Sequence, residues 1–211
     1  MKMMMNRQNA RVFIDTNILI FAENYQKENI FDWIDKLYGH VWIHSDVLAE
    51  VLQGKAKIEQ EISTRKWAIF DPAELSIDEN EIYEFYIEMI ETAMQSMNDA
   101  RARQGKRAKN TADTGEIATL AVCLLQDAQL ICSDDADIAE VVARERYSYV
   151  DEQDQSKLIV QDTAADFCYY AVVEAGYSKS KVRHFYKTLF ESRPLRARQL
   201  AAWDHRFDTL E

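Results

Sequence analysis

The sequence predicts an α/β domain built on a mostly parallel sheet. Short apolar runs alternate with longer segments of helical spacing, in the order strand, helix, strand, helix, strand, helix, helix, strand, helix. This alternation is typical of parallel strands joined by crossover helices. Hydrophobic residues make up 47% of the 211 positions and charged residues 29%. The chain therefore has enough apolar material for a sizeable core.

Each of the first four apolar runs is followed by a segment with helical spacing. The expected strands are the runs 11–14, 41–44, 67–70 and 129–132. Helices are expected after Asp15, over 28–38, after Ser45 as the N-cap, and over 55–66, 79–103, 112–127 and 136–145. Residues 104–111 are expected to form a loop.

The C-terminal part is predicted to add one strand and several helices. Lys157 to Val160 is expected to form the last strand, which gives a sheet of about five strands. Helices are expected over 163–175 and 179–191, and Ser192 with Pro194 suits the start of a closing helix. We interpret residues 11–176 as one α/β domain and residues 177–211 as a helical C-terminal extension.

Other features of the sequence disfavour a membrane or secreted protein. No uninterrupted apolar run approaches the roughly 18 residues that span a bilayer. The first ten residues, MKMMMNRQNA, lack the apolar stretch of a secretory signal. Three widely spaced cysteines, Cys123, Cys132 and Cys168, are typical of buried thiols in a reducing compartment. We expect a cytoplasmic protein.

Acidic residues cluster where the predicted strands end or where a neighbouring helix begins. They are Asp15, Glu50, Asp113, Glu116, Asp134, Asp135 and Asp137. The carboxyl ends of parallel strands line one crevice, so these acids are expected to converge there. Clustered carboxylates repel one another unless a cation neutralises them. An all-oxygen ligand set suits Mg²⁺ or Mn²⁺, which can activate water and stabilise a phosphodiester transition state.

Each acid also has an ordinary structural explanation. Asp15 and Asp113 could cap the helices that follow them, and Asp134 with Asp135 could form a turn. The joint occurrence of these acids at one predicted edge of the sheet favours the functional interpretation.

Four motifs, taken in order, resemble those of the PIN-domain nucleases, a family that includes ribonuclease toxins. They are VFIDTNILI, SDVLAEVL, ADTGEIATLA and LICSDDADI, and the resemblance covers about residues 11–165. It implies a three-layer α/β/α fold and metal-dependent hydrolysis of RNA. Two positions depart from the family pattern: Ile138 replaces the usual aromatic residue, and Asp134 stands where the family often has a neutral residue.

The resemblance also implies roles for individual residues. The metal ligands would be Asp15, Glu50, Asp135 and one acid of the pair Asp113 and Glu116, with Asp137 assisting catalysis. Thr16 or Asn17 would support Asp15, and Ser133 would take the position of the family's Ser or Thr. The choice between Asp113 and Glu116 stays open. The acids Asp134, Asp135 and Asp137 could also match the family motif with a shift of one residue.

The charge distribution bears on nucleic-acid binding. The formal net charge is −11, from 25 Lys and Arg against 36 Asp and Glu, which disfavours binding by bulk charge. Basic residues are concentrated directly before the 113–116 acids, at Arg101, Arg103, Lys106, Arg107 and Lys109. We expect this segment to guide an RNA backbone. The alternative is a solvated helix end, where cations also favour the helix dipole.

The clustered acids predict a metal-dependent enzyme that uses Mg²⁺ or Mn²⁺, and the resemblance implies that it is an endoribonuclease. The resemblance adds the hypothesis of a toxin that a small antitoxin protein neutralises, and it leaves a homodimer and an RNA-processing role open. The alternatives are a catalytically idle PIN-like scaffold or RNA-binding protein, a DNA-directed nuclease and a metal phosphatase.

Overall fold

The main sheet of the protein consists of five parallel strands. The computed structural model describes residues 5–105, 114–151 and 153–208. The strands are β1 (Arg11–Ile14), β2 (His40–His44), β3 (Ala68–Phe70), β4 (Leu130–Cys132) and, after a two-stranded hairpin, β7 (Val160–Asp162). Their order is β3-β2-β1-β4-β7, and every neighbouring pair is parallel. The predicted α/β class with a parallel sheet of about five strands is confirmed.

The strand order reverses between β1 and β4. From β1 the chain moves outward to β2 and then β3, and it then crosses to β4 on the other side of β1. At such a reversal the two connections leave in opposite directions, and ligands bind beyond the carboxyl ends of the two strands. Ile14 pairs with Cys132 in register, so the residues that follow these two lie side by side.

The described residues contain ten α-helices. They are α1 (Thr16–Asn24), α2 (Ile30–Leu37), α3 (Ser45–Glu50), α4 (Lys55–Arg65), α5 (Ile77–Arg103), α6 (Thr114–Leu125), α7 (Ala136–Glu145), α8 (Ala164–Val173), α9 (Lys179–Thr188) and α10 (Arg193–His205). Of these described helices, none has the length and apolar character needed to cross a membrane.

Helices cover both faces of the sheet. Side chains alternate along a strand, so Val12 and Ile14 point to one face and Phe13 to the other. Val12 and Ile14 belong to a buried cluster with residues of α1, α2, α4, α8, α9 and α10. Phe13 belongs to a second cluster with residues of α5, α6 and α7. This arrangement is compatible with three layers, helix on sheet on helix.

The C-terminal helices share the core of the sheet. Phe185 of α9 and Trp203 of α10 are almost fully buried, and they lie in the same cluster as Trp33 of α2. Ser192 caps α10 by accepting the Leu195 N–H, as the sequence predicts for a closing helix. The division into 11–176 and 177–211 stays a prediction.

Two local predictions are wrong. Lys157 to Val160 does not form one strand, because β6 (Ser156–Leu158) pairs antiparallel with β5 (Ser148–Val150) before β7 joins the main sheet. Ile159 lies between the two and donates its N–H to the carbonyl of Tyr147 (3.0 Å). Ser45 does not cap α3; the ring of His44 does so by accepting the Asp46 N–H (3.0 Å).

Candidate functional site

Asp15 lies at the centre of the candidate site. It follows β1 and is the N-cap of α1, where it accepts the N–H of Thr16 at Oδ1 (2.7 Å). Its Oδ2 accepts from the amide of Asn17 (2.6 Å) and from the hydroxyl of Ser133 (2.7 Å). The side chain is buried, with 5% of the residue exposed. Asp15 is therefore both a helix cap and a carboxylate held in one orientation by three donors.

The segment after β4 provides the second part of the site. The N–H of Asp15 donates to the carbonyl of Cys132 (3.0 Å), which brings the ends of β1 and β4 together. Ser133 is fully buried. Its hydroxyl donates a hydrogen bond to Asp15, and its oxygen accepts the N–H of Asp135 (3.1 Å). Asp135 is the N-cap of α7 and accepts the N–H of Asp137 (2.7 Å). Ser133 thus links the carboxylate of Asp15 to the backbone N–H of Asp135.

Glu50 reaches the site from the end of α3. Its Oε2 accepts the hydroxyl of Thr16 (2.9 Å), and its Oε1 accepts the N–H of Gly115 (3.1 Å). Gly115 lies in the first turn of α6, whose N–H groups have no partner within the helix. The helix dipole also favours a negative charge at that end. The predicted support of the site by Thr16 and Asn17 thus has a structural basis, with Thr16 holding both Asp15 and Glu50.

Gly115 is a site residue that the sequence analysis missed. A Cβ atom at this position would lie 2.6 Å from Oε1 of Glu50 and 3.0 Å from its Cδ. Only glycine allows the carboxylate to approach this closely. The signal in the sequence was a glycine where a good helix former would otherwise stand, immediately before Glu116.

The three acids that follow β4, Asp134, Asp135 and Asp137, lie in different environments. The carboxylate of Asp134 turns towards α8 and accepts the N–H of Ala164 (3.1 Å), while its own N–H donates to Asn17 (3.2 Å). Asp137 is buried and forms an ion pair with Arg101 (2.8 Å). Of these three acids, Asp135 is the one whose charge acts on Asp15. The geometry therefore favours the register in which Asp135 is the site acid.

The third predicted ligand position is only partly described. Glu116 lies in the first turn of α6 with 8% of its surface exposed. Asp113 lies outside the described residues, as do Lys106, Arg107 and Lys109 of the basic segment. The choice between Asp113 and Glu116 therefore stays open.

The two described cations of the basic segment differ from each other. Arg101 pairs with Asp137 (2.8 Å) and with Glu140 of α7 (2.5 Å), and these hydrogen bonds raise the pKa of its guanidinium. Arg103 is exposed at the end of α5. Arg101 therefore joins α5 to α7, whereas Arg103 lies open to solvent.

The charges of Glu50 and Asp135 both act on the carboxylate of Asp15. Burial raises the pKa of Asp15, while the donors Ser133 and Thr16 lower it and the charges of Glu50 and Asp135 raise it further. The net direction is upward. Ionised Asp15 is therefore less favourable in the fold than in water, which is the condition that a bound cation would relieve.

The carboxylates suit a hard cation by donor type, but the described residues do not complete a metal site. Residues 5–105, 114–151 and 153–208 contain no group of three or more His, Cys, Asp or Glu side chains that could hold a metal ion. Asp15 and Glu50 accept three and two hydrogen bonds from described residues. Because a carboxylate offers about four acceptor positions, both keep capacity for a further ligand.

A buried ion pair lies one strand away from the site, at the end of β7. Arg7 donates to both oxygens of Asp162 (2.7 and 2.9 Å), and the hydroxyl of Tyr38 adds a third donor (2.9 Å). Arg7 and Asp162 are 4% and 1% exposed. Three of the about four acceptor positions of the Asp162 carboxylate are filled by protein donors. We therefore assign this ion pair to the packing of the N-terminal segment.

Comparisons with known proteins leave the family open. No protein-family model matches the chain, and no curated protein sequence matches it significantly. The functional argument therefore rests on the residues and geometry described above.

Proposed function

We propose that this chain is a metal-dependent nuclease of PIN-like fold that hydrolyses RNA phosphodiester bonds. One observation carries the proposal: Asp15 and Asp135 follow neighbouring parallel strands at the reversal of strand order, and Ser133 links the Asp15 carboxylate to the backbone N–H of Asp135. The charge of Glu50 acts on the same carboxylate. A reversal point of this kind, with carboxylates from separate segments beside it, suits the binding of cations and phosphates together.

The proposal assigns a role to each residue of the candidate site. Asp15, Glu50 and Asp135 would hold Mg²⁺ or Mn²⁺, and either Asp113 or Glu116 would complete the set. A bound divalent ion lowers the pKa of water and neutralises the charge that develops on a phosphoryl group. Ser133 and Asn17 orient Asp15, and Thr16 orients Glu50, through the hydrogen bonds given above. Asp137, proposed to assist, is held by Arg101.

The proposal is tested by measuring Mn²⁺- and Mg²⁺-dependent cleavage of three substrates: single-stranded RNA, single-stranded DNA and a small phosphate ester. We expect RNA cleavage that Asp15→Asn abolishes. Asp99→Asn, at an exposed position of α5, is the matched control and should keep full activity. Preferential cleavage of DNA would instead support a DNA-directed nuclease, and preferential cleavage of the phosphate ester would support a metal phosphatase.

The basic segment has its own test, because it is proposed to guide RNA towards the acids. Each lost phosphate contact should reduce the log–log salt slope of binding by about 0.7 for a single strand. Replacing Arg103, Lys106 and Arg107 with Gln should weaken RNA binding at low salt and flatten the salt dependence. Affinity for Mn²⁺ serves as the control and should not change. An unchanged slope would assign the segment to a solvated connection.

An idle scaffold or RNA-binding protein is the second candidate. The observation that favours it is the lack of a three-ligand group among the described side chains. Under this alternative, RNA would bind without being cleaved, and Mn²⁺ would not raise the thermal midpoint of the protein. A ligand that binds only the folded state must raise that midpoint, so the absence of any shift would remove the metal from the proposal.

The biological role is a further part of the proposal. A ribonuclease toxin neutralised by a small antitoxin protein and an RNA-processing enzyme would share this chemistry. Growth arrest on expression of the chain, relieved by Asp15→Asn, would support the toxin. A short adjacent reading frame with a DNA-binding motif would supply the antitoxin candidate. Sedimentation of the purified chain would test the homodimer.

A further inference from the structure

A second candidate binding surface lies along α5, and none of the acids of the candidate site lines it. A groove of about 640 Å³ runs between α5 and the C-terminal end of α7. Phe85 and Met89 of α5 line it on one side, Arg144 lies on the other, and Tyr147 follows α7. This volume lies within the range of sites that bind ligands or peptide side chains. We call this surface the α5 groove.

The α5 groove continues along the helix as an apolar stripe. Phe85 also lines a smaller pocket with Ile82 and Asp78. Phe85 and Ile82 are 61% and 46% exposed, although both are large apolar residues. The residues of α5 that line the two pockets run from Asp78 to Ser96, about 27 Å at 1.5 Å per residue, and the apolar stripe of Ile82, Phe85 and Met89 lies within that length. That length matches a facing helix of about 18 residues.

The charges around the α5 groove are predominantly negative. Glu88 and Glu145 line the groove, and Asp78 and Glu81 line the smaller pocket that continues it; together these four acids form its rim. Arg144 is its basic residue, and the guanidinium of Arg144 is already engaged by Glu145 (3.1 Å) and by the hydroxyl of Ser96 (2.7 Å). The charge that would complement this rim is positive, and RNA would be repelled.

One polar group of the groove lacks a partner. Tyr147 is 7% exposed, and its buried hydroxyl makes no hydrogen bond with any residue of the described ranges 5–105, 114–151 and 153–208. Burial and the charge of Glu145 raise the pKa of this phenol to about 12, so the group is a neutral donor. A buried donor without an acceptor is unfavourable.

We propose that the α5 groove binds a basic amphipathic helical segment of a partner protein. Its apolar residues, spaced every three or four positions, would contact Ile82, Phe85 and Met89. Its Lys and Arg residues would pair with the acids of the rim, chiefly Glu81 and Glu88. This inference is independent of the nuclease proposal, because none of these residues takes part in the candidate site.

The test uses a fluorescein-labelled synthetic helix of about 18 residues. Leu occupies every third or fourth position and Lys occupies most of the others, and a scrambled peptide of the same composition controls for bulk charge. We expect the patterned peptide to bind the wild type, and the scrambled peptide to bind at least about tenfold more weakly. Phe85→Ala, and separately Glu81→Gln with Glu88→Gln, should each reduce affinity about tenfold. Leu52→Ala, at a residue 92% exposed on another surface, is the matched control and should bind like the wild type.

Three outcomes would overturn the proposal. The first is the absence of peptide binding at low salt. The second is equal binding by the wild type and by Phe85→Ala. The third is a dimer in sedimentation that Phe85→Ala converts to a monomer, because a second copy of the chain would then cover the groove. Phe85 is exposed, so its replacement is not expected to prevent folding, and a thermal melt verifies this.

Discussion

Replacement of Gly115 by alanine provides a sharp test of the candidate site. The new methyl carbon would lie 2.6 Å from Oε1 of Glu50 and 3.0 Å from both Oε2 and Cδ. Carbon and oxygen atoms at van der Waals contact are about 3.5 Å apart, so the carboxylate must move by about 1 Å. Glu50 is an exposed side chain and can rotate away. The clash is therefore relieved by displacing a proposed ligand while the backbone stays in place.

The expected effect on stability is small because two contributions oppose each other. Alanine is favoured over glycine inside a helix by about 1 kcal/mol. The hydrogen bond from the Gly115 N–H to Glu50 is lost, which costs about 0.5–1.5 kcal/mol. The net change lies within about 1 kcal/mol, so the thermal midpoint should move by no more than about 2–4 °C for a chain of this size.

The expected effect on activity is large. Misplacement of a catalytic group by about 1 Å can reduce the rate by about 100-fold. We therefore expect kcat/KM for Mn²⁺-dependent RNA cleavage to fall about 100-fold in Gly115→Ala, together with a weaker affinity for Mn²⁺ in calorimetry. Gly176→Ala is the matched control. Gly176 has φ of 73°, and a Cβ atom added there would have nothing within 4 Å, so this variant should lose about 1 kcal/mol of stability and keep its activity.

The opposite pattern would refute this reasoning. If Gly115→Ala cleaves RNA and binds Mn²⁺ as the wild type does, Glu50 does not act from the position described here. If the wild type itself binds no Mn²⁺, the nuclease proposal fails, whatever the variant does.

Three further predictions concern other contacts. In the metal-free protein Asp15→Asn should not lower the thermal midpoint at pH 7, because the raised pKa of Asp15 means that its ionised form destabilises the fold. The difference in thermal midpoint between the variant and the wild type should shrink as the pH falls through the pKa of Asp15, because the wild-type carboxyl is then neutral too. Thermal melts across pH 4–8 measure this difference. Asp135→Asn should abolish RNA cleavage, whereas Asp134→Asn should retain it, because the carboxylate of Asp134 accepts the N–H of Ala164; equal losses would show that the register is misassigned. Arg7→Ala should destabilise the protein by about 3–5 kcal/mol in denaturant melts, because it leaves a buried carboxylate without its partner cation, and a loss below about 1 kcal/mol would contradict a buried pair.

The elements with strong periodicity were predictable from the sequence. Strand β1, helix α7 and the helices on either side of the sheet lie where their apolar spacing predicts them. The short strands β5 and β6 have three residues each, too few for a period of two to stand out. The cap of α3 was missed because a histidine ring is an uncommon N-cap, whereas Ser45 is a preferred residue type.

The sequence by itself determined the α/β class and the placement of Asp15 and Asp135 at strand ends, because both depend on local patterns. Only the tertiary structure decided which acids interact. The pairing of β1 with β4 brings Ser133 to Asp15, and the packing of α3 against α6 brings Glu50 to Gly115, 65 positions further along the chain. These contacts join residues far apart in the sequence, and no local spacing encodes them. The direction of Asp134 towards α8, away from Asp15, has the same origin: it depends on where a distant helix begins.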